Sequence, residues 1–117
     1  MVDDDAPVRR YITTVLRREG FDVLEACDGA DALSLLHEIH GAVHVLVTDV
    51  EMPRMNGADL VRAARVDFPG IPVLYVSGQS LQEDLDCPQD HVAFLQKPFP
   101  PEAVLEAIRG IASMAVL

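Results

Sequence analysis

The stretch Val43-His44-Val45-Leu46-Val47-Thr48-Asp49-Val50-Glu51-Met52-Pro53-Arg54-Met55-Asn56-Gly57 decides the fold. Val43 to Thr48 is almost continuously apolar and rich in β-branched residues. It lacks the alternating polar face of a half-exposed strand, so it reads as a strand covered on both sides, as in a parallel sheet. That strand ends on a carboxylate, Asp49. A loop bearing Pro, Met and Asn runs to Gly57. Leu60, Val61 and Ala64 then recur at helical spacing, and Pro69-Gly70 stops the helix. The stretch is one strand–loop–helix unit with an acid at its turning point.

The same alternation extends in both directions. Upstream, Val8, Ile12, Val15 and Leu16 line one face of a helix. Asp5 is at its N-cap, Pro7 in its first turn and Gly20 just past its end. Phe21 to Ala26 is a short strand. Asp28-Gly29 opens a second helix carrying Ala32, Leu33, Leu36 and Ile39, which stops near Gly41. Downstream, Ile71 to Val76 is a buried strand, residues 79–91 are polar and broken by Pro88, and Val92 to Gln96 is a strand. Pro100-Pro101 starts a last helix with Val104, Leu105, Ile108 and Ile111. With the acidic start as the end of a further strand, the expected fold is a doubly wound α/β domain, a parallel sheet with helices on both faces. No repeat, low-complexity tract or linker interrupts residues 1–117, so they read as one domain.

Composition narrows the function. The 117 residues carry 9 Lys+Arg against 19 Asp+Glu, a formal charge of −10. That charge opposes unaided binding to nucleic acid or anionic lipid. Four Phe, two Tyr and no Trp make a base-stacking surface a poor fit. The start, Met1-Val2-Asp3-Asp4-Asp5, is not a secretory leader. No apolar run approaches the roughly 20 residues of a membrane span, and the expected location is the cytoplasm. Cys27 and Cys87 have no metal-ligand spacing and read as buried or incidental thiols of a reducing cytosol. His37, His40, His44 and His91 do not complete a zinc set.

In an open α/β sheet, ligands bind at the carboxyl ends of the strands. Those ends offer Asp3-Asp4-Asp5, Asp49, Ser77-Gly78 and Lys97-Pro98-Phe99. No phosphate-cradling glycine loop is among them, which argues against a flavodoxin-like cofactor binder. Gathered carboxylates repel unless a cation holds them, and oxygen ligands of this kind suit Mg²⁺. Carboxylate, Mg²⁺, hydroxyl and lysine are together the parts for moving a phosphoryl group, with the carboxylate as nucleophile.

Four ordered motifs carry a family resemblance over nearly the whole chain. They are Val2-Asp3-Asp4-Asp5 with Val8-Arg9, Thr48-Asp49-Val50-Glu51-Met52-Pro53 with Asn56-Gly57, Tyr75-Val76-Ser77-Gly78, and Lys97-Pro98-Phe99. The chain resembles the receiver domain of two-component response regulators. The resemblance implies a flavodoxin-like, five-stranded sheet of order 2-1-3-4-5 and a phosphorelay role. Asp49 would be the phosphoacceptor. Asp3, Asp4 and Asp49 would hold Mg²⁺ with the backbone carbonyl of Glu51. Ser77 and Lys97 would bind phosphoryl oxygens, and Lys97–Pro98 is expected to be cis. Phe94 falls at the family's aromatic switch position, with plain core packing as its other reading. The donor would be a histidine kinase or a histidine phosphotransfer domain, and Val8 and Ile12 are either its docking residues or core. The Glu51 side chain, two residues beyond Asp49, is expected to affect the lifetime of the acyl phosphate.

Two departures from the family pattern carry expectations of their own. Only Met1 and Val2 precede the acidic cluster, so the first strand is expected to be truncated and stability reduced. The short polar run between Ser77 and Lys97 predicts a brief or irregular fourth helix. The run Phe94 to Phe99 with Pro101-Glu102-Ala103 looks like receivers fused behind sensor histidine kinases. Two other function classes fit the residues. One is a pseudo-receiver that binds without transferring phosphate, and the other is a Mg²⁺-dependent phosphatase working through an aspartyl phosphate.

Overall fold

The computed structural model describes residues 1–40, 42–78 and 92–114, with side chains through residue 111. In chain order the elements are α1 (Ala6–Arg18), α2 (Gly29–Glu38), β1 (Leu46–Asp49), α3 (Gly57–Asp67), β2 (Val73–Ser77), β3 (Val92–Gln96) and α4 (Pro101–Met114). The expected irregular helix within residues 79–91, with Cys87, Pro88 and His91, lies outside the described residues.

Side chains start the helices, at Asp5 and Asp28 as the sequence suggests and at Asn56 in addition. The Asp5 carboxylate accepts the Val8 N–H of α1, Asp28 accepts that of Asp31 in α2, and Asn56 accepts that of Asp59 in α3. Each satisfies a backbone donor that has no partner within its helix. Gly20, just after α1, takes a left-handed φ of +91°, a conformation open to glycine without a Cβ penalty.

The three strands pair in parallel in the order β1-β2-β3. Alternate side chains go to opposite faces. Leu46, Val73 and Tyr75 pack with Ala32 and Leu36 of α2 and Leu60, Val61 and Ala64 of α3. Val47, Leu74 and Val76 pack with Ile12, Val15 and Leu16 of α1 and Val104, Leu105, Ile108 and Ile111 of α4. Helices therefore cover both faces. Ile12 is wholly buried, which makes it core and removes it as a docking residue. No helix among the described residues is long and apolar enough to cross a membrane.

The sheet differs from the expected five strands. Among the described residues it has three, flanked by isolated parallel bridges of Val2 to Ala26 and of Val2 to Thr48. The expected strand over Phe21 to Ala26 is reduced to the single bridge at Ala26. The backbone bonds across this edge fall at Leu24 and Ala26. Met1, Val2 and Asp3 lie between residues 24–26 and β1 and bond to both sides. The terminal amine reaches the Leu24 carbonyl at 2.7 Å, and the Val2 N–H reaches the Val47 carbonyl at 2.8 Å. Strand β1 begins at Leu46, where β2 first lies alongside, and not at Val43.

Candidate functional site

Register assembles the site. Val2 bridges Thr48, so Asp3 comes level with Asp49. Asp49 pairs with Val76, and Ser77 pairs with Gln96, one residue before Lys97. Because the strands are parallel, every one of these chemical groups emerges at the same edge. Asp3, Asp4 and Asp49 each place a carboxylate oxygen within 4.8 Å of the others. Asp3 is fully buried, Asp49 is 5% exposed and Asp4 faces solvent.

The Lys97 ammonium lies 3.1 Å from Asp3 Oδ2 and 3.6 Å from Asp49 Oδ1. Burial works against its charge, but the two carboxylates outweigh burial and hold its pKa above the ordinary lysine value. The Asp49 pKa rises too, which for a carboxyl disfavours the charged form. Burial, reinforced by the neighbouring Asp3 charge, pushes it up to about 6, against the pull of Lys97 and of the Glu51 N–H. Two buried carboxylates facing one ammonium, with the exposed Asp4 beside them, leave negative charge uncompensated. Hard oxygen donors with excess negative charge fit a divalent cation such as Mg²⁺, and these residues could hold one.

The surrounding backbone holds the acids in place. Asp3 Oδ1 accepts the Asp5 N–H at 2.9 Å, and the Arg9 guanidinium donates to the Asp3 carbonyl at 2.7 Å. Arg9 also pairs with Glu25 at 3.4 Å. The Thr48 hydroxyl donates to the Asp49 carbonyl at 3.0 Å. Gly57 lies against that same carbonyl. A Cβ there would collide with the Asp49 carbonyl oxygen and stand 3.0 Å from Val50 Cα, so the residue beside the acid has to be glycine. The Lys97–Pro98 bond is cis, as expected.

Ser77 is 1% exposed, and its hydroxyl donates to the Glu51 carboxylate. Glu51 also offers its N–H to Asp49 Oδ1 at 3.4 Å. Phe94 lies on β3, three residues before Lys97. Its ring stacks on buried Tyr75 with centroids 5.2 Å apart, and it packs against the α2–α3 side of the sheet. Sequence reasoning quoted Arg9 and Gly57 only as parts of motifs and missed their work. The signal for Arg9 was its place one turn after the Asp5 cap, facing back over Asp3. The signal for Gly57 was a glycine at the first position of a helix, directly after a capping Asn56. The Glu51–Ser77 contact had no sequence signal, since it spans 26 residues.

The response regulator receiver domain family matches residues 1–109. The chain is 39% identical over 116 residues to chemotaxis protein CheY of Pseudomonas aeruginosa, covering 95% of this chain and 92% of that protein. It is 38% identical over 103 residues to sensor kinase CckA of Brucella abortus, covering 85% of this chain and only 11% of the kinase. Among solved structures, the receiver domain from hybrid histidine kinase CckA superposes with a TM-score of 0.81 at 33% identity, covering 95% of this chain and 94% of that one.

Proposed function

The chain belongs to the response regulator receiver family of two-component signalling, and from that premise we propose that it accepts a phosphoryl group on Asp49 from a phosphohistidine. The observation that carries this reading is the placement of Asp49. It is a buried carboxylate at the end of β1, with two further acids within 4.8 Å and a lysine ammonium at 3.6 Å. The donor is a histidine kinase or a histidine phosphotransfer domain. On this reading the chain is one domain with strand order 2-1-3-4-5, a reading supported by the parallel bridges of Val2 to Ala26 and to Thr48.

An Asp49 Oδ attacks phosphorus in line with the leaving imidazole. The P–N bond breaks, its electron pair returns to the ring nitrogen, and an O–P bond forms on Asp49. Lys97 shifts from the carboxylates toward an equatorial oxygen, and the Ser77 hydroxyl donates to another. Asp3, Asp4, Asp49 and the Glu51 carbonyl would hold Mg²⁺, which when bound would supply positive charge against the developing negative charge of the transferred group. The new group adds close to two negative charges beside Ser77 and Lys97. Their response biases a two-state equilibrium, for which a full reversal takes about 5.5 kcal/mol of differential interaction.

The test is intact mass after incubation with acetyl phosphate and Mg²⁺, beside Asp49→Asn. One added phosphoryl group in the wild type, absent from the variant and from an EDTA control, is the expected result. A folded, metal-loaded protein that gains no mass would overturn the reading and favour a pseudo-receiver.

A further inference from the structure

Glu51 touches both halves of the site. Its N–H faces Asp49 Oδ1, while its side chain crosses from the loop after β1 to the end of β2 and accepts the Ser77 hydroxyl. Ser77 is in turn tied by its backbone to the lysine, because the Lys97 N–H donates to the Ser77 carbonyl at 2.7 Å. Glu51 is itself exposed. Its carboxylate can therefore leave Ser77 for water at small desolvation cost, which a buried acid could not do. An anionic oxygen on the Ser77 hydroxyl is also what a phosphoryl group on Asp49 would supply.

We propose that Glu51 is a resting-state latch, its carboxylate occupying the Ser77 hydroxyl in place of a phosphoryl oxygen and releasing it when Asp49 is phosphorylated. This rests on Asp49 being the acceptor. Arrival of the phosphoryl group does two things at once. It offers Ser77 a stronger acceptor, and it repels the Glu51 carboxylate with nearly two like charges. The hydroxyl is handed over, and through the Ser77 carbonyl the handover reaches the Lys97 backbone. Glu51 is on this account a positioning residue that acts through Ser77. The phosphoryl group must displace its contact before Ser77 can respond.

The experiment is a double-mutant cycle on Glu51→Ala and Ser77→Ala, read in two ways. The first is urea stability of the metal-free protein, which needs no phosphoryl chemistry. The second is the initial rate of labelling by acetyl phosphate with Mg²⁺. The contact predicts non-additive stability losses in the cycle. Removing one ordinary hydrogen bond's worth of competition predicts labelling about 2- to 10-fold faster in Glu51→Ala. In the Ser77→Ala background the same change should leave the rate where it was. Glu51→Gln, whose amide oxygen still accepts the hydroxyl, should label more slowly than Glu51→Ala. Additive stabilities would overturn the latch. So would a Glu51→Ala acceleration that persists without the Ser77 hydroxyl, or a Glu51→Gln variant as fast as Glu51→Ala. A wild type that takes no label overturns the acceptor reading and the release step together, while the stability cycle still decides the contact.

Discussion

Asp49 is held under strain of an electrostatic kind. Its pKa in the fold, about 6, lies above the ordinary 3.8 because burial and Asp3 disfavour its charge. The native state therefore binds this proton more tightly than the unfolded chain does. By linkage, the stability of the metal-free protein falls as pH rises from about 4 to about 6 and then levels off. Asp49's share of that fall is about 1–3 kcal/mol. Asp49→Asn should be the more stable protein above pH 6 by about that amount, with its advantage gone near pH 4. Urea titrations in EDTA across this range check it, and parallel curves for the two proteins would show that Asp49 carries no such penalty. The stored repulsion has a use. A carboxylate that is unfavourable when bare gains most from a cation or a transferred group.

At the scale of elements, one contact fixes how α3 meets the sheet and another how α2 meets α3. α3 starts so close to the end of β1 that Gly57 has no room for a Cβ against the Asp49 carbonyl oxygen. The opposing atoms are backbone and cannot swing aside. Gly57→Ala should cost about 1–3 kcal/mol and slow labelling by displacing Asp49. Gly70→Ala, with nothing within 4 Å of the added carbon, should fold like the wild type. Circular dichroism melts of the pair separate a local clash from a general loss of glycine. The second contact clips α2 to the end of α3. His37 Nδ1 lies 2.8 Å from the Leu33 carbonyl and Nε2 lies 2.8 Å from Asp67 Oδ2. Both partners are acceptors, so only the doubly protonated ring satisfies both. The Asp67 hydrogen bond, with that of Leu33, raises the His37 pKa above its ordinary 6.5. Stability from this clip is fully present below pH 6.5 and is lost as pH rises through the elevated value. An NMR titration should show the raised pKa, and Asp67→Asn should bring it back toward 6.5.

Across the whole molecule, the sheet edge concentrates acids in a chain already at −10. Asp3, Asp4 and Asp49 come from two segments, and folding alone brings them within 4.8 Å. The unfolded chain has no such site, so a divalent cation held there would bind the native state preferentially. Mg²⁺ at a hundred times its Kd should stabilise the fold by about 2.7 kcal/mol. Asp4→Asn should lose most of that gain while barely changing the melting temperature in EDTA, because Asp4 is exposed and caps nothing. Thermal melts with and without Mg²⁺ read both. An equal response in the variant would mean that the cation binds elsewhere.

The order of strands and helices was legible because it is local. Continuous apolar runs, capping Asp and Asn residues, and helical spacing in α1, α2 and α3 are set by neighbours in sequence. So was the list of chemical groups, since acids, a hydroxyl and a lysine each stood at a strand end beside a familiar motif. Two outcomes depended on partners far away in the chain. Phe21 to Ala26 has the composition of a strand, but a ladder needs a neighbour, and Met1 to Asp3 bond only at its end. Which group the Ser77 hydroxyl meets could not be read either. That contact joins residues 26 apart through parallel register, and register is a property of the assembled sheet. By itself the sequence determined which groups stand at the strand ends. Only the tertiary structure decided which of them touch, because hydrogen bonds and charge repulsion depend on distances that packing alone sets.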